Sequence, residues 1–350
     1  MASSIVSVIV PCYNAEKFLP TLFKCLNEQT YKDFQAIFVN DGSTDGTLTV
    51  LNEYCAAHPQ HTVISCENAG AASARNKGFQ AIKGDFFVFC DADDIIAANH
   101  LELLVKNISE NGADMAVCGI KRMAGKRADK YNFASRPRAC KLKVYDTENA
   151  LAQYLSQEIF DYPLFNKIYR TDILKKSGAC FMDGARYGEE SYFVCRYLAF
   201  SDKVVYYGAK TYVYLQHKNS LMHSGFSENR LDIFNNLAAV ISDIKKDGRF
   251  VSLLPYVFAM RAGYSVGILY FILRSKYKND TAIANIANGL KADAKYLKKC
   301  KKLAFYKKAL IPVCVFFAKI RFNKQIKKYP DYSVAAAPGN SVQSEIRTHV

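Results

Sequence analysis

The chain has 350 residues, 50% of them apolar and 23% charged, with 18 Gly and 9 Pro. That is enough apolar material for a large core, and it excludes wholesale disorder, collagen-like repeats and low-complexity architecture. The formal charge of +15 is concentrated, because residues 274–328 hold 16 Lys and Arg against Asp280 and Asp293 alone.

Such a block points to an anionic partner for the C-terminal part. Large apolar residues between the lysines favour an anionic membrane surface. Nucleic acid is not expected, since no recognition motif for it is present. A solvated helical face or a homodimer interface would use the same residues. The 11 cysteines are odd in number and lack any CxxC spacing, so neither a zinc site nor a disulfide framework fits. A reducing compartment is expected, with Cys90, Cys118 and Cys314 acting as small core residues. The first ten residues lack the features of a signal peptide. Residues 253–273 are the most apolar but enclose Arg261. Residues 309–320 fall short of the ~20 residues that a bilayer crossing needs. Membrane contact without a crossing is the expectation.

Residues 5–10 form a continuous β-branched run, fit for a strand buried on both faces. Residues 15–29 place Phe18, Leu19, Leu22, Phe23 and Leu26 at helical spacing. Alternation continues with strand 36–39, helix 44–57, strand 63–65, helix 71–82, strand 85–90, helix 100–111 and strand 115–119. This order predicts an α/β fold with a mostly parallel central sheet. Basic residues, Gly125 and Pro137 then predict a loop over 121–143. A helix follows near 147–157, then a mixed region to about 220 with strands at 204–207 and 211–215. Helices are expected at 229–246, 255–278, 282–302 and 305–328, before a small, polar, disordered tail at 331–350.

Asp91, Asp93 and Asp94 follow directly on the apolar strand that ends at Cys90. Ligands of open α/β sheets bind beyond the carboxyl ends of strands. Crowded carboxylates there would be relieved by Mg2+ or Mn2+, which would also bridge to phosphate oxygens. An acidic cap on the next helix would explain the same residues, and the residues alone leave both readings open. Three further polar clusters end neighbouring strands: 11–14, 40–45 and 68–76. Asp41 is suited to accept hydrogen bonds from a base or ribose, and Arg75 to pair with a carboxylate or phosphate. Neither a GxGxxG nor a P-loop is present.

The run "SVIVPCYN", "FVNDGSTDGT", "ENAGAASARNKG" and "GDFFVFCDADD" resembles the nucleotide-sugar domain of family two glycosyltransferases, inverting enzymes of the GT-A fold. The resemblance covers about residues 4–220 and extends to surface-polysaccharide enzymes of bacteria. It implies that Pro11 underlies a uracil, that Asp41 hydrogen-bonds it, and that Asn68 and Arg75 line the nucleotide. It places Asp91 at the ribose, Asp93 on the metal, and Asp94 behind Asp93 or in its place. Asn40 departs from the family, which has an acid there. Farther along, "PLFNKIYRTDILKKSGACF" and "YGEESYF" resemble the acceptor half, with Asn166 and Lys167 matching an "NK" signature. Glu190 stands where the family has a catalytic Asp base, preceded by Glu189. Tyr214, His217, Asn219 and Ser220 resemble a loop that closes over the diphosphate, with His217 contacting diphosphate or metal.

The implied architecture is a GT-A domain over 1–220, with a nucleotide-sugar half at 1–120 and an acceptor half at 121–220. A basic helical region follows at 221–330, then the tail. The implied chemistry is Mn2+- or Mg2+-dependent transfer from a nucleoside-diphosphate sugar, UDP-linked, to a glycan or lipid-linked acceptor. The implied location is the cytoplasm, peripheral on the inner face of the cell membrane. The alternative is a catalytically silent sugar-nucleotide or glycan-binding protein.

Overall fold

A computed structural model describes residues 5–125, 131–132, 141–160, 163–217, 225–275, 277 and 279–299. The chain divides into two compact units. The first comprises Met1–Ala150, Pro163–Arg186 and Arg196–His223, the second Leu151–Tyr162, Tyr187–Cys195 and Ser224–Val350. The division differs from a simple break near residue 220, since two short segments before it group with the C-terminal part.

The first unit is built on an eight-stranded sheet. Its strands are β1 (Val6–Cys12), β2 (Phe34–Asp41), β3 (Thr62–Cys66), β4 (Phe86–Phe89), β6 (Met115–Val117), β8 (Lys143–Asp146), β9 (Lys167–Arg170) and β10 (Lys203–Tyr206). They lie in the order β3-β2-β1-β4-β9-β6-β10-β8. β3, β2, β1 and β4 run parallel, so their carboxyl ends and the loops that follow share one edge. The first five residues of β1 are buried, as expected of a β-branched run in the middle of a sheet covered on both faces. Pro11 pairs with Val39, beyond the point where the pairing of β1 with β4 ends at Ile9. On that side its missing N–H therefore costs no ladder bond. A smaller sheet, in the order β5-β11-β7, joins β5 (Ile95–Ile96), β7 (Ile120–Ala124) and β11 (Tyr212–Gln216).

The helices of this half are α1 (Leu19–Asn27), α2 (Thr47–Ala57), α3 (Ala71–Phe79) and α4 (His100–Glu110). α1 buries Leu19, Leu22, Cys25 and Leu26 along one stripe, the periodicity legible in the sequence. α3 packs against β1 and β2.

Two strands occupy the ends of the expected loop over 121–143, of which 126–130 and 133–140 lie outside the described residues. β7 pairs in parallel with β11, and β8 closes the sheet edge beside β10. Lys121 and Arg122 made β7 read as a loop, but they occupy its exposed positions. β9 is antiparallel to both neighbours and sits inside the sheet. It opens on Lys167, which is fully buried because its ammonium donates to the Pro163 carbonyl and Asn166 Oδ1. α5 (Thr147–Ser156), α6 (Thr171–Ser177) and α7 (Glu190–Leu198) complete this part of the chain.

In the second unit α8 (Asp232–Asp247), α9 (Leu254–Leu273) and α10 (Asp280–Asp293) pack together. α9 is apolar almost all round, and with the preceding turn it is long and apolar enough to cross a membrane, although more than half of it is buried within the protein. Its one charge, Arg261, is held by Asp293 of α10, with Nη2 donating to Oδ1 at 3.0 Å. The expected helix at 305–328 and the tail at 331–350 lie outside the described residues.

Candidate active site

The loops after β1 and β2 are tied to one another. Asn14 adopts φ 48° and accepts from the Thr44 amide at 2.8 Å, while its own amide donates to Ser43 Oγ at 3.0 Å. Asn40 is buried; its amide group donates to Ser65 Oγ at 2.9 Å and its carbonyl accepts from the Ser43 amide at 3.3 Å. Asp41 is 3% exposed, and its two oxygens accept from the Ala69 and Gly70 amides, each at 2.8 Å. Asn68 donates to the Asp41 carbonyl at 3.0 Å. Gly42 has φ 65°, and a Cβ there would lie 2.6 Å from the Asn68 nitrogen, so the two loops meet backbone to backbone.

α3 starts directly after this loop and carries Arg75 to the acidic turn. Arg75 Nη2 pairs with Asp91 Oδ1 at 3.3 Å, and the guanidinium lies 5.6 Å from the Phe181 ring centre. The three carboxylates of the turn have different surroundings. Asp94 is 1% exposed and faces inward; Tyr212 donates to its Oδ2 at 2.8 Å and the Leu215 amide to its Oδ1 at 2.8 Å. Burial, then the charges of Asp91 and Asp93, hold the Asp94 carboxyl well above the usual carboxylate range. Asp93 stays accessible, with its Oδ2 3.7 Å from His217 Nε2. Burial and the Asp91 charge raise its carboxyl too, and His217 opposes them.

His217 follows β11 and is set against Phe18, with ring centres 5.1 Å apart. A Cβ on Gly125 would come within 2.5 Å of its Nδ1, so only glycine leaves room for the ring there. Its Nε2 is buried with no hydrogen-bond partner among the described residues. That nitrogen beside the accessible Asp93 carboxylate fits a divalent cation. Among the described residues no three His, Cys, Asp or Glu side chains converge as a metal cage. Mg2+ and Mn2+ sites that use one or two protein ligands and complete their shell with phosphate oxygens and water need no such cage.

The structure thus sets Asp93 beside His217, with Asp91 of the same turn bonded to Arg75. Asp41 and Asn68 lie together in the adjoining loop, and Pro11 is on the end of the neighbouring strand. Glu190 opens α7 in the second unit, where Tyr154 Oη donates to its carbonyl at 3.3 Å. Tyr214 is on β11, and Asn219 and Ser220 lie outside the described residues. Sequence reading missed three neighbours of the site. Tyr212 looks like any aromatic on a buried strand. Phe18 reads as core at helical spacing. Arg186 runs beside the loop that follows β3, with its Cγ 3.8 Å from a Cβ placed on Gly70. An arginine shortly before the paired glutamates was the available signal.

A family model for glycosyl transferase family 2 matches residues 7–178. Glycosyltransferase GlyA of Streptococcus pneumoniae is 31% identical over 220 residues, which is 62% of this chain and 31% of that protein. The chain therefore spans about a third of that relative. Among solved structures, S. aureus TarS 1–349 in complex with UDP-GlcNAc superposes with a TM-score of 0.63 at 21% identity, covering 91% of this chain and 92% of the other. Mannosyltransferase PcManGT of Pyrobaculum calidifontis, in complex with GDP-Man and Mn2+, gives 0.56 at 16% identity over 93% and 88%. Strand order and loop placement agree with the GT-A fold, and residues 7–178 match the family 2 glycosyltransferases.

Proposed function

We propose that the chain transfers a sugar from a UDP-linked donor to a hydroxyl of a glycan or lipid-linked acceptor in surface-polysaccharide synthesis, by one displacement with inversion. The observation that carries this reading is the acidic turn after β4, where Arg75 pairs with Asp91 and the accessible Asp93 faces the orphaned nitrogen of His217. Asp93 and His217 would hold Mn2+ or Mg2+, which supplies charge neutralisation at the diphosphate. The UDP-GlcNAc complex of TarS and the Mn2+ complex of PcManGT support the donor class and the cation.

The chain's own residues divide the work. Pro11, Asp41 and Asn68 shape the base end of the site, and Arg75 holds Asp91 toward the ribose. Glu190 takes the proton from the acceptor hydroxyl as that oxygen attacks the anomeric carbon, and inversion follows from the single displacement. The basic C-terminal block holds the enzyme at an anionic inner membrane face near a lipid-linked acceptor. A thermal-shift screen of nucleoside diphosphates and UDP- or GDP-sugars, with and without Mn2+, tests the donor reading. Stabilisation by UDP that needs Mn2+, followed by donor turnover with a hydroxyl acceptor, is the expected result. Nucleotide binding without turnover of any donor would favour a silent sugar-nucleotide-binding protein instead.

A further inference from the structure

Asp94 and Tyr212 form a buried unit behind the acidic turn. Tyr212 is fully buried on β11. Its hydroxyl donates to Asp94 Oδ2 at 2.8 Å and accepts from the Asp91 amide at 3.1 Å. The other oxygen of Asp94 accepts from the Leu215 amide at 2.8 Å, three residues farther along the same strand. One side chain from each element therefore bonds the other twice. The ring of Tyr212 is fixed separately, stacked on Phe165 at 4.1 Å and 13° and set edge-on to His100 at 5.8 Å. β11 runs directly into His217, and the turn presents Asp93.

We propose that Tyr212 is a positioning residue: through Asp94 and the Asp91 amide it locks the turn to β11 and thereby sets the spacing of Asp93 and His217. This rests on the reading of that pair as the diphosphate and cation end of the donor site. The hydroxyl is buried and bonded to Asp94 and the Asp91 amide. It acts on the turn that carries Asp93, as outer partners of metal ligands do. Two strands of hydrogen bonding converge on one oxygen, so removing that oxygen frees the turn without removing any group that meets the donor.

The test is Tyr212→Phe in the full chain, which keeps both ring contacts and deletes only the hydroxyl. Calorimetric titration with UDP in Mn2+, and again in excess chelator, separates the cation-dependent part of the affinity from the rest. The variant should lose ~10–100-fold in UDP affinity with Mn2+ and change little in chelator. Asp94→Asn, which disturbs the same brace from the other side, should shift the Mn2+-dependent affinity in the same direction. A merely structural tyrosine would lower the melting temperature yet leave UDP·Mn2+ affinity unchanged well below it, and that result would overturn the proposal. Asp93→Ala is the control. If it loses Mn2+-dependent binding while Tyr212→Phe keeps it, only the brace is wrong. If Asp93→Ala binds as the wild type does, the reading of the turn fails, and the brace with it.

Discussion

Replacing Asp41 with Ala tests how the loops after β2 and β3 are held together. The carboxylate is nearly buried and accepts two loop amides at 2.8 Å, from Ala69 and Gly70. Each is a charge-assisted bond contributing about 1.5–3 kcal/mol. Losing both leaves two donors stranded in a partly buried loop, at a cost on the order of 3–6 kcal/mol. At ~2–4 °C per kcal/mol for a unit of this size, the melting temperature should fall by on the order of 10 °C. The loop that these bonds hold also carries Asn68 and leads into α3 and Arg75, so UDP affinity should fall with it. Differential scanning fluorimetry measures the first effect, and calorimetry well below the new transition measures the second. Asp41→Asn keeps one accepting oxygen and should land between the two. A melting temperature within about 2 °C of wild type in Asp41→Ala would show that the two amide bonds contribute little, and the argument would fail.

Asp93→Ala should abolish transfer and uncouple nucleotide binding from Mn2+; full activity in that variant, or in excess chelator, would refute its assignment. Glu190→Gln keeps the size of the side chain and removes its basicity, so kcat should fall ~10²–10⁴-fold with donor affinity unchanged. Normal turnover there, with an inactive Glu189→Gln, would move the base to the neighbouring glutamate. Burial lowers His61 from 6.5 to about 4, helped by the charge of His58, and lowers His100 to about 3. Both stay neutral in the folded protein while the unfolded chain takes up protons. Stability should therefore fall as pH drops from 6.5 toward 4, by about 1.4 kcal/mol per pH unit for each imidazole. Urea midpoints at pH 7.0, 5.5 and 4.5 check this, and a flat profile would contradict it.

Sequence alone determined the alternating elements of the first 120 residues, because period-2 and period-3.6 burial leave direct marks on residue order. It also located the polar clusters at strand ends, since chemistry in this fold sits where apolar runs stop. The four signatures named the family on that basis. The segment from 120 to 170 was less legible. β7 is half exposed and carries its charges outward, and β9 opens with a lysine that reads as surface.

Tertiary structure alone decided how three nearly identical aspartates differ. Asp91, Asp93 and Asp94 share one chemistry in the sequence, and no local pattern says which turns inward. Asp94 does so because Tyr212 and Leu215, more than a hundred residues away, supply two donors for its oxygens. Asp93 is left to face His217 because a glycine at 125 leaves room for that ring. Lys167 is buried for the same kind of reason, with acceptors waiting at Pro163 and Asn166. A polar group's cost of burial depends on partners that only the folded chain brings within 3 Å, and residue order does not record them.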